Sequence, residues 1–255
     1  MLDLTQVAAG SAVECSRRTR AEPPRDHTTM DTPADRRRNV VVWDFPVRLF
    51  HWALVLLLAI AWSTAQGGLD WMRYHLYAGY GILALILFRL MWGFVGSFHA
   101  RFVHFLASPR SACRYAADLV RGRHEAYLGH NPLGGYMVVL LLALVFTQVT
   151  TGLFATDDIL IEGPLAHAVA ARFSRLATVV HTANVNLLIA AAAVHVAAIA
   201  YYRWRFGERL VKAMLTGRKD WEGQNAPAPG EVSLGRAVVL LALSVGFVVF
   251  IANGL

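Results

Sequence analysis

Residues Leu176 to Tyr202 read LATVVHTANVNLLIAAAAVHVAAIAYY, an apolar run that holds two histidines, His181 and His195, fourteen residues apart. The run is long enough to cross a bilayer as one helix. At about 100° per residue the fourteen steps fall roughly 40° short of four full turns, and at ~1.5 Å per residue they span roughly 21 Å along the axis. Both imidazoles therefore leave the helix on one side, one towards each leaflet. Ionisable side chains at membrane depth are rare and face the bundle interior, and imidazole is the usual protein ligand of haem iron. A helix that offers one His to each of two stacked haems has this form. It calls for two further histidines at matching depths, and His51 and His75 qualify.

The rest of the composition agrees. Of 255 residues, 56% are hydrophobic and 16% charged, with a mean hydropathy of +0.44, the balance of a polytopic membrane protein. The 24 basic residues include two lysines, Lys212 and Lys219, and are otherwise arginine. They fall in the connections between apolar segments and read as topology signals, not as a nucleic-acid footprint. Two cysteines, Cys15 and Cys113, sit in different polar segments without a C-x-x-C-H motif. Covalent c-type attachment and a four-cysteine cluster are thereby excluded, so a haem here is non-covalent and b-type. Residues 1 to 39 are polar and unpatterned, the composition of a disordered tail, and lack the order of a signal peptide. Met30 serves as a start as well as Met1 does.

Five apolar segments, about 45 to 65, 74 to 96, 134 to 155, 177 to 202 and 234 to 253, each approach the ~20 residues a bilayer requires. Asp44 before Phe45 and Pro46 makes a helix start, and Asp70 and Ser174 are candidate caps for the second and fourth spans. Arginines crowd the 97 to 133 and 203 to 233 connections and precede the first span, whereas the 66 to 73 and 156 to 176 loops carry acids against few bases. The positive-inside rule then predicts a cytoplasmic N-terminus and an external C-terminus. The expected organisation is a cytoplasmic tail (1–39), a four-helix membrane domain (40–220), a linker (221–233) and a fifth transmembrane helix (234–255).

Orientation sets depth. His51 lies roughly 10 Å inside one edge and His195 roughly 12 Å from the same edge, while His75 and His181 lie roughly 8 and 10 Å from the other. This pairs His51 with His195 on a cytoplasmic-side haem and His75 with His181 on an external-side haem. Two axial nitrogens per iron leave no open position, which suits electron transfer. Gly79, one turn after His75, either gives the macrocycle room or packs helices closely. Arg89, fourteen residues after His75, and Arg48, one turn before His51, either pair with anionic propionates or snorkel to the nearby surface. A lone membrane His is often a packing residue, but four at two matched depths are not explained that way. His27, His99, His104, His124, His130 and His167 fall in the tail and connections and read as surface histidines. Thr147, Gln148, Thr150 and Thr151 read as interhelical hydrogen-bonding groups, with a quinone head group as the alternative.

Five stretches carry a resemblance: Trp43–Trp52 (WDFPVRLFHW), His75–Gly96 (HLYAGYGILALILFRLMWGFVG), Phe98–Pro109 (FHARFVHFLASP), Gly129–Phe154 (GHNPLGGYMVVLLLALVFTQVTTGLF), and the segment from His181 ending RWRFGERLVKAMLTGRKD at Asp220. Together they resemble the bacterial cytochrome b561 and nickel-iron hydrogenase b-type cytochrome group. The resemblance implies an all-α, integral-membrane helical bundle, a four-helix di-haem module that passes electrons between membrane quinone (ubiquinone or menaquinone) and a redox partner, with His51, His75, His181 and His195 as ligands. The fifth span and the 39-residue tail lie outside the usual module, which favours a c-type cytochrome as external partner over a hydrogenase. Whether the chain is an electron-transfer protein or an oxidoreductase subunit stays open at this point. A superoxide:quinone oxidoreductase would require a cationic external entry, for which Arg73, Arg172 and Arg175 are candidates. A His-lined metal-ion transporter lacks the acidic residues within spans that such pathways use.

Overall fold

The computed structural model describes residues 38–157, 161–221 and 232–253. The expected tail lies outside the described residues up to position 37, as does the expected linker from 222 to 231. In chain order the elements are β1 (Arg38–Val41), α1 (Phe45–Ala65), α2 (Leu69–Val95), α3 (Phe102–Phe105), α4 (Pro109–Val120), α5 (Pro132–Gly152), α6 (Ala171–Phe206), α7 (Leu210–Thr216), β2 (Arg218–Trp221) and α8 (Leu234–Ala252). The chain is an all-α membrane bundle, and α1, α2, α5, α6 and α8 are each long and apolar enough to cross a membrane.

Helix starts follow local chemistry. Asp44 caps α1, its carboxylate accepting the Val47 amide at 2.7 Å, with Pro46 in the first turn. Asn131 caps α5 in the same way, accepting the Gly134 amide at 2.7 Å. Two sequence expectations are corrected. Asp70 does not cap α2: Gly68 does, at φ 78°, and Asp70 lies within the first turn. Ser174 is not a cap either, because α6 begins at Ala171, and its hydroxyl donates to the Phe154 carbonyl. The 36-residue α6 would measure roughly 54 Å, well beyond the ~30 Å hydrocarbon core. It therefore protrudes from the membrane, carrying Arg203 and Arg205 in its last turn.

Packing runs α1 on α2, α2 on α5, and α5 on α6, with α8 against α2. Flanked by three neighbours, α2 is the most buried span. Gly81 lets α1 approach it, since a Cβ there would come within 2.9 Å of Leu57. Helices α1 and α6 are not among the closely packed pairs, and the ring opens between them. The strands β1 and β2 pair antiparallel, Arg38 with Trp221 and Val41 with Arg218, and so join the segment before α1 to the segment after α7. The Val42 and Trp43 amides both donate to the Gly217 carbonyl, at 2.8 and 3.1 Å. Gly217 has φ 78°, and a Cβ would approach the Trp43 carbonyl to 2.7 Å, so conformation and contact both demand glycine. Outward faces are apolar, and Trp62, Trp71, Tyr74 and Tyr77 stand exposed near the α1–α2 turn, the band expected of aromatic side chains at a membrane interface.

Candidate haem site

At the end of the bundle near the α1–α2 turn, the rings of His75 (α2) and His181 (α6) meet edge-on, with centroids 6.1 Å apart and planes at 81°. Both Nδ1 atoms are held by backbone carbonyls one helix away: His75 by Ala61 at 2.8 Å and His181 by Gln148 at 2.9 Å. A ring whose Nδ1–H donates to a carbonyl presents a basic Nε2. That of His181 lies 3.1 Å from the Gln148 amide nitrogen. Gln148 is itself fixed, since its Oε1 accepts from Asn184 Nδ2 at 2.8 Å, and the same Asn184 amide reaches the Leu144 carbonyl at 2.9 Å. Thr151 donates to the Thr147 carbonyl at 2.7 Å. Gln148 thus knits α5 to α6 and orients His181, while the Thr151 hydroxyl is satisfied within α5. Gly152 permits this closeness, because a Cβ there would stand 3.0 Å from the His181 ring.

The other end holds His51 (α1) and His195 (α6), within charge–charge range of each other. The Nδ1 of His51 is buried without a partner. Arg89 does not snorkel: it is 3% exposed, stacks on Phe102 at 5.2 Å and donates to the Ala100 carbonyl at 3.2 Å. Its Nη1 is buried and unpartnered, as is the Nε of Arg48, which turns towards the α7 end and donates to the Leu215 carbonyl. Asp44 lies within charge–charge range of Arg89 and accepts the Trp92 indole N–H at 3.0 Å.

Of the histidines expected at the surface, His99 is buried and His124 and His130 are half-buried. His99 is 8% exposed and lies against Trp43 and Phe98. His130 sits between Trp43 and Phe105, ring centroids 4.6 and 4.8 Å away, with an unpartnered Nδ1. Burial first, and then the neighbouring Arg89, His99 and His195, push the His130 imidazole down to about 3, so it stays neutral. His124 stacks on Phe206 and bonds Glu208 at 2.7 Å. The 97–131 connection folds over the end of the bundle as α3 and α4 and covers these groups, an arrangement that no local pattern in a polar, arginine-rich segment announces. The one sequence sign was His130 directly before an Asn-Pro helix start.

A cavity of about 1950 Å³ connects the two ends and is lined by His51, His75, His181 and His195, with Gly79 and Arg89 among its walls. Ordinary small-molecule pockets reach about 1,000 Å³, so this one has room for more than one ligand. A Cβ at Gly79 would meet nothing within 4 Å. Gly79 therefore borders open space, and the close-packing role belongs to Gly81.

A sequence model of the prokaryotic cytochrome b561 family matches residues 42–217. The chain belongs to this family. Among curated relatives, each described as "probable Ni/Fe-hydrogenase B-type cytochrome subunit", the protein of Rhizobium leguminosarum bv. viciae is 28% identical over 146 residues, 46% of this chain and 60% of its own length. That of Azotobacter vinelandii is 28% identical over 138 residues (44% and 57%), and that of Rhodobacter capsulatus 27% over 156 residues (50% and 56%). The chain thus spans 56 to 60% of the length of these relatives.

A prokaryotic cytochrome b561 is a membrane b-type cytochrome of electron transfer, which implies b-type haem. The residues present fit that group. Two imidazoles on opposite faces of one metal, at ~2 Å per metal–nitrogen bond, have ring centres roughly 6 Å apart, the separation found for His75 and His181. Unpartnered guanidinium nitrogens on Arg48 and Arg89 suit carboxylates, and Gly79 leaves room for a flat ring.

Proposed function

We propose that this chain holds two b-type haems, with His51 and His195 as axial ligands of one and His75 and His181 of the other, and carries electrons across the bilayer between quinone and an external redox protein. The observation that carries the reading is the His75/His181 pair, adjacent rings whose Nδ1 atoms are both held by carbonyls. The haems supply one-electron chemistry when bound; the protein supplies position and charge. Arg89, with Arg48 at the rim, neutralises propionates of the His51/His195 haem, and Gly79 borders the macrocycle. The arginine bias supports an orientation in a bacterial inner membrane with the N-terminus and the His51/His195 end inside, and with the C-terminus outside. A c-type cytochrome at the His75/His181 end is one partner consistent with this. A second reading, a nickel-iron hydrogenase, is favoured by the names of the matched relatives.

The test is transmembrane. In proteoliposomes loaded with quinol, an impermeant one-electron acceptor outside should be reduced only when the His75/His181 face is outward. Quinol-dependent reduction that is absent, or indifferent to orientation, contradicts the reading. Arg89→Gln should lower the midpoint of one haem by roughly 30 to 60 mV, since a nearby cation favours the electron-richer state and ~59 mV is tenfold for one electron. Redox titration with both midpoints unmoved would remove Arg89 from the haem.

A further inference from the structure

The buried groups left over by haem binding form a line. Glu208, just beyond α6, is held by Lys219 of β2 at 2.7 Å and accepts His124 Nε2, also at 2.7 Å. The His124 side chain is 12% and the Glu208 side chain 13% exposed, so this end meets solvent. From His124, Nδ1 lies 3.4 Å from the Tyr115 hydroxyl of α4, the longest link. Tyr115 in turn is 2.9 Å from the Tyr202 hydroxyl of α6, with both side chains buried. Asn131, whose Oδ1 caps α5, lies near that hydroxyl. Tyr202, Asn131 and His130 all line the haem cavity, at the end that holds His195.

We infer that Glu208, His124, Tyr115 and Tyr202 form a proton path from the basic face of the molecule to a quinone head group bound beside His130 and Asn131. The inference rests on the quinone reading above and locates its site. Reduction of a quinone takes two electrons, delivered one at a time by the His51/His195 haem, and two protons. For each proton, Glu208 takes a proton from solvent and gives it to His124 Nε2 in the Nδ1–H tautomer, and His124 releases its Nδ1 proton to Tyr115. Tyr115 and Tyr202 hand on their hydroxyl protons to a quinone oxygen, and His124 returns to the Nδ1–H tautomer before the next. Quinol oxidation runs every transfer backwards. His130, neutral and with Nδ1 unpartnered, is free to hydrogen-bond the head group.

The same bonds would also serve as a clamp between α4, α6 and β2, so the test separates proton supply from fold. In the haem-loaded protein, stopped-flow reduction of haem by short-chain ubiquinol or menaquinol is compared with oxidation of the same haem by hexacyanoferrate, which requires no proton. Tyr115→Phe should slow the quinol reaction by roughly a hundredfold, the lower end of acid–base contributions, and enlarge its solvent isotope effect. Hexacyanoferrate oxidation should stay within about twofold. Should Tyr115→Phe lose its haem spectrum, Glu208→Gln at the exposed mouth carries the same expectation. A quinol rate and isotope effect like the wild type's in a folded variant overturns the path alone. A wild-type protein that neither quinol reduces overturns the path and the quinone reading together.

Discussion

His51→Ala and His195→Ala are expected to lose the same haem, and His75→Ala and His181→Ala the other. Depth dictates the pairing: His181 and His195 are separated by fourteen residues of one continuous helix, roughly 21 Å, so no iron reaches both. His75 stands 6.1 Å from His181, while His51 is within charge–charge range of His195. Each single change should remove about half of the low-spin haem absorbance, and the double change within a pair should add little, since two ligands of one metal act as a unit. Changes at His75 or His181 should also cut contact with the external partner. Low-temperature absorbance spectra of the four variants make the check. Finding His51→Ala and His75→Ala to be spectral twins would overturn the pairing and the membrane topology together.

Asp44→Ala should be the most damaging change among residues not expected to touch haem. The carboxylate is 5% exposed and serves three groups at once: the Val47 amide at 2.7 Å, the Trp92 indole at 3.0 Å, and the charge of Arg89. Trp92 is 1% exposed, so its N–H has no water to turn to. Leaving a buried donor unpaired costs about 1 to 3 kcal/mol, and a lost helix cap about 1. Together roughly 2 to 4 kcal/mol is expected, a large share of ordinary stability. Asp44→Asn keeps an acceptor and should cost markedly less. Thermal unfolding followed through helix and haem signals would show it, and an Asp44→Ala melting curve matching the wild type's would mean that Asp44 organises nothing.

The spans were legible because apolar length is a strong, local signal, and Asp44 was legible because a cap needs only its own helix. The depth given for His181 rested on Ser174 as a cap, and α6 begins earlier and protrudes; the fourteen-residue interval between His181 and His195 does not depend on where the helix starts. Arg89 stood between two readings from sequence alone, since its position near the end of α2 suits snorkelling, and only the folding of α3 over it brings Phe102 and the Ala100 carbonyl into contact. The same tertiary event hides His99 and His130, whose polar neighbours in the chain suggested exposure. The Glu208, His124, Tyr115 and Tyr202 network was beyond reach for a related reason: its members are up to 93 positions apart, from Tyr115 to Glu208, and no periodicity connects them.

The central claim is that one chain holds two haems, each between two helices. Pyridine haemochrome analysis against quantified polypeptide tests it most directly. Two protohaems per chain are expected in the wild type, falling to one in each single histidine variant; a wild-type value of one or none would contradict the account.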